Sequence, residues 1–251
     1  MFVSINTVCL FKDKPLNYAL ERISQAGYDT VELWRLGEGQ ARLIDQARRR
    51  FGMRVSGFCP DEFTLNDGAL HAQYERALKK ALSDAQTLDC PALITQVGQD
   101  TGAPRAAQHE AIVRGLKRVA PYLEKAGCTL LVEPLNDVRD HPGYYLTSSQ
   151  EGFDIVREVA SPRVKLLFDV YHQVHMGEDV LRQIEKNAPL IGHFHVAGHP
   201  NRDARIFENF DYRPFFELVN ALGLSAPVGL ELFPSDEADA LALLRALEKY
   251  R

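Results

Sequence analysis

The chain has 251 residues and a mass of 28.2 kDa, with 45% hydrophobic and 25% charged residues. This size and balance fit one globular α/β domain spanning residues 1–251, and they argue against disorder. The formal net charge of −5 and the isoelectric point near 5.9 argue against nucleic acid as a partner, because phosphate binding normally needs a basic face.

Short apolar runs of strand periodicity alternate along the chain with amphipathic segments of helical periodicity. The predicted strands are Phe2–Thr7, Thr30–Trp34, Arg54–Phe58, Ala92–Val97, Thr129–Glu133, Val164–Asp169, Ile191–Val196 and Pro227–Leu232. The predicted helices are Pro15–Ala26, Gln40–Phe51, Leu70–Leu88, Arg105–Lys125, Ser149–Val159, Asp179–Asn187, Pro214–Ala221 and Ser235–Tyr250. Eight such units without a glycine-rich dinucleotide motif predict a single closed (β/α)8 TIM barrel rather than an open doubly wound sheet.

The termini and cysteines indicate the compartment. The amino terminus reads MFVSINTVCLF and reaches the charged Lys12 too early for a signal peptide, and no apolar run approaches the roughly 20 residues that span a bilayer. The four cysteines are widely spaced, which predicts free buried thiols rather than disulfides or a thiolate metal site. We therefore expect a cytoplasmic protein with no membrane partner, and the sequence leaves homo-oligomerisation open.

Four predicted strands carry a polar residue at the carboxyl end, where barrel enzymes place their functional groups. TLLVEPLN contains Glu133, VKLLFDVYHQ contains Asp169, IGHFHVAG contains His195, and PVGLELFP contains Glu231. A single aspartate at such a position could simply cap the next helix, but the pattern recurs four times. Because side chains alternate along a strand, the parity that turns these four inward also turns inward Leu131, Leu167, His193 and Gly229. We expect the four polar residues to converge on one axis.

Three carboxylates crowded at an apolar barrel mouth would repel one another unless a cation neutralised them or some took up protons. A divalent metal bound by Glu133, Asp169, His195 and Glu231 is the simpler solution. Mostly oxygen donors with one imidazole suit Mn²⁺ or Mg²⁺, tolerate Co²⁺ and do not exclude Zn²⁺. The alternative is a solvated ring of charges around a pocket that has lost its function.

The carboxyl-terminal half resembles a known family. Residues Tyr145–Arg202 contain LTSSQEGFDIVREVASPRVKLLFDVYHQ and IGHFHVAGHPNR, and they resemble the hydroxypyruvate isomerase branch of the xylose-isomerase-like barrel superfamily. LVEPLN before this segment and GLELFP after it extend the likeness. The resemblance implies a metal-dependent isomerase that acts on a small hydroxy-keto acid or sugar.

The resemblance also assigns roles to residues. It places the metal ligands on Glu133, Asp169, His195 and Glu231, makes Glu133 and Glu231 the acid/base pair, and points to His172 and Arg202 as substrate contacts. The chemistry that suits such a site is proton transfer next to a carbonyl, through an enediolate stabilised by the cation. Arg202 could bind a substrate carboxylate, or it could pair at the surface with Asp203 or Glu208.

Two positions differ from the hydroxypyruvate isomerase pattern. Members of that branch often have glutamine where this chain has His195, whereas ketose 3-epimerases have histidine, and relatives commonly have His-Glu where this chain has Asp203-Ala204. A ketose 3-epimerase using the same metal and glutamates is therefore the main alternative. A metal-dependent endonuclease of the same superfamily and a non-catalytic sugar-binding protein are the more remote ones. Trp34, Phe58 and Phe233 are candidate pocket walls, although packing is the commoner role of aromatic residues.

Overall fold

The computed structural model describes residues 2–250, and these residues contain a closed barrel of eight parallel strands. Each strand pairs with the next one along the chain, and β8 pairs with β1. The strands are β1 Val3–Asn6, β2 Thr30–Arg35, β3 Arg54–Cys59, β4 Ala92–Thr95, β5 Thr129–Val132, β6 Val164–Asp169, β7 Ile191–Val196 and β8 Val228–Leu230. The predicted (β/α)8 barrel is confirmed. Met1 and Arg251 lie outside the described residues, and the assignment of residues 1–251 to one domain stays a prediction.

In the described part of the chain, helices follow the strands and surround the barrel, together with three short 3-10 turns. They are α1 Thr7–Leu10, α2 Leu16–Gln25, α3 Gln40–Phe51, α4 His71–Thr87, α5 Arg105–Ala126, α6 Ser149–Val159, α7 Val170–His175, α8 Val180–Asn187, α9 Arg213–Ala221 and α10 Glu237–Leu247. The sequence did not predict α1 and α7, because four and six residues are too few to show a helical period. Within residues 2–250 no helix is long and apolar enough to cross a bilayer.

The two unpredicted helices begin where a strand ends, because a polar side chain caps each one. Asn6 Oδ1 accepts a hydrogen bond from the Cys9 amide at 3.2 Å, and Asp169 Oδ1 accepts one from the His172 amide at 3.1 Å. The capping alternative for Asp169 is therefore correct, but it uses only one of the two carboxylate oxygens. Oδ2 remains free to face the barrel axis.

The predicted alternation of side chains is present along β5 and β6. Leu130, Val132, Leu166 and Phe168 belong to the large core between barrel and helices, whereas Leu131 and Leu167 pack inside the barrel with Ala92 and Ile94. The barrel interior is therefore apolar on the side of β4, β5 and β6.

The opposite half of the barrel interior is polar. Ser4 and Ser56 share a hydrogen bond of 2.6 Å between their hydroxyl oxygens, and Glu32 of β2 lies beside His193 of β7. All four side chains are buried. The strand-end polar residues thus lie above a barrel interior that is apolar on one side and polar on the other.

Candidate active site

The four strand-end residues named from the sequence meet at the carboxyl end of the barrel. Asp169 and His195 are paired neighbours at the ends of β6 and β7, while Glu133 and Glu231 directly follow β5 and β8. None of the four is more than 7% exposed. Such burial of three carboxylates is unusual unless positive charge compensates them.

His195 directs one ring nitrogen at all three carboxylates. Its Nδ1 lies 3.2 Å from Glu133 Oε1, 3.2 Å from Glu231 Oε2 and 3.9 Å from Asp169 Oδ2. Burial alone would lower the pKa of His195, but the charges of Glu32 and Glu231 outweigh it and raise the pKa well above its ordinary value. Burial raises the pKa of Asp169 to about 7, against the opposing influence of His195 and Arg202. The cluster therefore has more negative charge than its own cations readily balance.

His172 presents a different atom to the cluster. Its Nδ1 lies 2.7 Å from the Asn136 amide nitrogen, and that amide is oriented as a donor because its oxygen accepts from the backbone of Arg139 and Asp140. Burial holds the pKa of His172 well below its usual value, so the ring is neutral and its proton belongs on Nε2. Nε2 lies 3.5 Å from Asp169 Oδ2 and has no hydrogen-bond partner.

Two side chains donate to Glu231. Trp34 Nε1 donates to Oε1, and Arg202 Nη2 donates to Oε2 at 2.5 Å. Burial alone would raise the pKa of Glu231, but Arg202 and His195 outweigh it and hold the pKa well below the usual range. The surface pairing considered for Arg202 is wrong, because Asp203 pairs with Arg205 and leaves Arg202 in the site.

A cavity of about 670 Å³ opens above these groups. Trp34 lines it and packs edge-on against Phe233, with ring centroids 6.1 Å apart. The prediction that Phe58 is a pocket wall is wrong. Its side chain packs in the core around the barrel, and the neighbouring Cys59 lines the cavity instead. The lining residues include Asn6, Val8, Leu33, Trp34, Arg35, Cys59, Phe63, Gln96, Glu133, His141, His195, Arg202 and Glu231.

Sequence reasoning missed three polar residues that support the site. Gln96 donates to Glu133 Oε2 at 3.0 Å, Asn136 orients His172, and Glu32 lies beneath His195. Glu32 is fully buried, and burial alone would raise its pKa, but His195 and His193 outweigh burial and lower the pKa to about 2. A charged residue in the apolar strand TVELWR was the available signal for Glu32.

The donor atoms fit a divalent metal. One oxygen each from Glu133, Asp169 and Glu231 and one ring nitrogen of His172 all lie within 4.8 Å of one another, and the Nδ1 of His195 faces the same three carboxylates. Since the proton of His172 belongs on Nε2, His195 is the better placed imidazole for a metal. The three carboxylates and His195 could thus hold a metal with four ligands, which would leave His172 as a hydrogen-bond donor.

The chain matches known proteins over most of its length. A family model described as xylose isomerase-like TIM barrel matches residues 20–250. A provisionally named hydroxypyruvate isomerase of Xenopus laevis is 32% identical over 71% of this chain and 66% of its own length. The 2-oxo-tetronate isomerase of Cupriavidus necator is 33% identical over 53% of this chain and 50% of its own length. These matches therefore span only two thirds and half of the two relatives.

A solved structure matches the whole chain. The AP endonuclease, family 2, from Brucella melitensis superimposes with a TM-score of 0.92 and 25% identity, over 100% of this chain and 98% of that one. Sequence relatives and structural neighbour thus agree on the barrel but carry names from different enzyme classes.

Proposed function

Because the chain belongs to the xylose isomerase-like TIM-barrel family, we propose that it is a divalent-metal-dependent isomerase of a small hydroxy-keto acid. The substrate class is hydroxypyruvate, interconverted with tartronate semialdehyde, or a related 2-oxo acid. The names of the two isomerase relatives support this class. The observation that carries the proposal is the convergence of three buried carboxylates on His195 Nδ1.

Mn²⁺ or Mg²⁺ is the preferred metal for this donor set, and Co²⁺ and Zn²⁺ are acceptable. Glu133, Asp169, His195 and Glu231 would hold the ion. When bound, it would supply the positive charge that balances the carboxylates and stabilises charge developing on a substrate oxygen.

The two glutamates are placed to move the proton. They follow β5 and β8, and both face His195, so they approach the space above this ring from different strands. One glutamate removes the carbon-bound proton of the substrate, the neighbouring hydroxyl passes its proton to the carbonyl oxygen, and a proton returned to the former carbonyl carbon completes the isomerisation. The Trp34 and Arg202 hydrogen bonds hold the Glu231 carboxylate in position for this step.

His172 and Arg202 orient the substrate in this proposal. The Nε2 proton of His172 has no acceptor within hydrogen-bonding geometry and can be donated to a substrate oxygen. The Arg202 side chain is 12% exposed and lines the cavity, and its guanidinium can bind a carboxylate through two parallel hydrogen bonds. Trp34 limits the access of water to the reacting carbon.

A ketose 3-epimerase is the second candidate, and it is favoured by the imidazole of His195 in the ligand set. The same residues would serve, with the proton returned to the opposite face of the same carbon. The acidic chain argues against an endonuclease, despite the name of the structural neighbour, and residues 2–250 contain a single buried group of three carboxylates.

Isotope labelling tests the proposal and separates the two candidates. The metal-loaded protein is incubated in deuterated water with hydroxypyruvate and with a panel of 2-oxo acids and ketoses, and deuterium is located by NMR. We expect the carbonyl to move between adjacent carbons and deuterium to appear at the former carbonyl carbon. Deuterium confined to an inverted carbon would assign the epimerase. Absence of exchange on every substrate would contradict both enzymes and favour a sugar-binding protein.

A further inference from the structure

Glu32 is a buried carboxylate to which the proposed chemistry gives no role. It projects from β2 into the barrel, beneath the candidate active site, and it is 0% exposed. Its Oε2 accepts a hydrogen bond from His193 Nε2 at 3.0 Å, and its Oε1 lies 3.0 Å from His195 Nε2. Glu32 thus contacts the ring nitrogen of His195 that points away from Glu133, Asp169 and Glu231.

The contact between Glu32 and His195 has no competitor. His195 Nε2 and Glu32 Oε1 are both buried, and neither has a well-aligned hydrogen-bond partner in this structure. A buried polar atom left unpaired is destabilising, so each atom has the other as its available partner. A proton on Nε2 satisfies both atoms at once, so Nδ1 is the nitrogen that gives up its proton and presents a lone pair to a metal.

Gly229 makes room for this arrangement. A Cβ atom at this position of β8 would lie 2.6 Å from Glu32 Oε2 and 2.6 Å from His195 Cδ2. No side chain can occupy that space unless the carboxylate or the imidazole moves. Three strands, β2, β7 and β8, therefore contribute to holding His195 from below.

We propose that Glu32 is a positioning residue that keeps the proton of His195 on Nε2 and directs Nδ1 toward the metal. This inference rests on the proposed function, because it assumes that His195 is a metal ligand. Carboxylates that bind the second nitrogen of a ligating imidazole commonly fix its tautomer and orientation in this way. His193 holds the carboxylate of Glu32 from the other side.

A second metal among Glu32, His193 and His195 is the competing explanation, because one donor atom from each lies within 4.8 Å of the others. Such an ion would require both nitrogens of His195 to lose their protons. The 3.0 Å separation of His193 Nε2 and Glu32 Oε2 is that of a hydrogen bond. These contacts favour a proton over an ion at this position.

Metal affinity in the absence of substrate is the first test. We expect Glu32→Gln to weaken Co²⁺ binding by about 10- to 100-fold in competition with a chelator, while its melting curve remains cooperative. Glu151→Gln is the matched control, because Glu151 also bonds a histidine but lies in α6, outside the barrel. Gly229→Ala should also weaken Co²⁺ binding, because the added methyl group would crowd Glu32 and His195. Unchanged affinity in both Glu32→Gln and Gly229→Ala would contradict the proposal.

The position of the proton is the second test. In the proton NMR spectrum of the Co²⁺-loaded wild type, His195 should give a strongly shifted Nε2 proton that exchanges slowly with water and disappears in His195→Gln. Its exchange should accelerate in Glu32→Gln. The proposal would be overturned if the wild type showed no Nε2 proton on His195. It would also be overturned if the wild type bound two ions per chain and Glu32→Gln bound only one. These outcomes leave the proposed function standing, whereas a wild type that binds no metal and exchanges no substrate proton removes the proposed function itself.

Discussion

Arg202 donates a hydrogen bond from Nη2 to Glu231 Oε2 at 2.5 Å, and its Nε lies 3.2 Å from the Glu231 backbone oxygen. The two residues follow different strands, β7 and β8, and the backbone of Arg202 has a left-handed φ of 58°. A non-glycine residue with this φ is uncommon and needs support from its surroundings. The Phe233 amide provides part of it by donating to the Arg202 carbonyl oxygen at 2.7 Å.

Arg202 should determine selectivity for a carboxylate substrate. Because Arg202 also supports Glu231, we expect Arg202→Ala to lower kcat/KM on both a hydroxy-keto acid and a neutral ketose, with a loss on the hydroxy-keto acid that is larger by roughly a hundredfold, equivalent to about 2–3 kcal/mol. Steady-state kinetics on both substrates provides the measurement. Arg205→Ala is the control, because Arg205 is half exposed and pairs with Asp203. Equal losses on both substrates would assign Arg202 to the support of Glu231 instead.

Metal binding should depend on the strand-end carboxylates. Elemental analysis after chelation and metal addition should find one ion per wild-type chain and much less in a Glu231→Gln and Asp169→Asn double variant. Both substitutions keep a similar shape, and asparagine at 169 still offers an oxygen that can cap α7, so the loss can be attributed to charge. If the double variant binds metal like the wild type, the ligand set is wrong.

Asn136 should act on the reaction through His172. Asn136→Asp replaces the group that donates to His172 Nδ1 with one that accepts, which should draw the proton from Nε2 to Nδ1. We expect kcat to fall on the order of tenfold or more, with metal stoichiometry unchanged. Nitrogen chemical shifts of the His172 ring report the tautomer directly. A reversed tautomer without any loss of kcat would exclude His172 as a donor to the substrate.

Stability should depend on pH through His109, which lies on α5 far in sequence from the site residues. Its Nδ1 is 3.2 Å from Glu151 and its Nε2 is 3.1 Å from Glu158. Burial alone would lower the pKa of His109, but these two carboxylates outweigh it and raise the pKa above 6.5. The stabilisation is therefore fully present below the unfolded pKa and is lost as pH rises through the higher folded pKa.

The His109→Gln variant provides the comparison. The free energy of unfolding of the wild type should fall relative to that of the variant as the pH rises above about 6.5, by less than about 1 kcal/mol for such partly exposed pairs. Urea unfolding at several pH values measures the difference. Parallel curves for the two proteins would show that His109 does not contribute.

The sequence predicted the barrel and the convergence of its polar strand ends because both follow from local periodicity. Once Glu133 faces inward, Leu131 must face inward as well, and the structure agrees. The strand-end pattern does not include Glu32, because Glu32 lies within β2 and not at its end. Phe58 was misplaced because β3 and β2 pair with two register shifts, which a regular alternation cannot anticipate.

Hydrogen-bond partners distant in sequence could not be predicted in the same way. The bond from Trp34 to Glu231 joins residues 197 positions apart, and that from Arg202 to Glu231 joins residues 29 apart. Such pairs depend on side-chain rotamers and on the paths of the loops at the carboxyl end of the barrel. The strand-end pattern indicated the neighbourhood of each residue but not its bonds.

The apolar and polar halves of the barrel interior should differ in their tolerance to substitution. The apolar half contains Ala92, Ile94, Leu131 and Leu167, which support the barrel through packing. Hydrophobic substitutions that keep the total side-chain volume should therefore be tolerated there without a change in the chemistry of the site. The polar half has less tolerance, because the Glu32 carboxylate lies 3.0 Å from both His193 and His195 and a change of either length or charge would disturb both contacts. Directed evolution for thermostability should therefore find its substitutions beneath β4, β5 and β6, and a search for new chemistry should begin beneath β2 and β7.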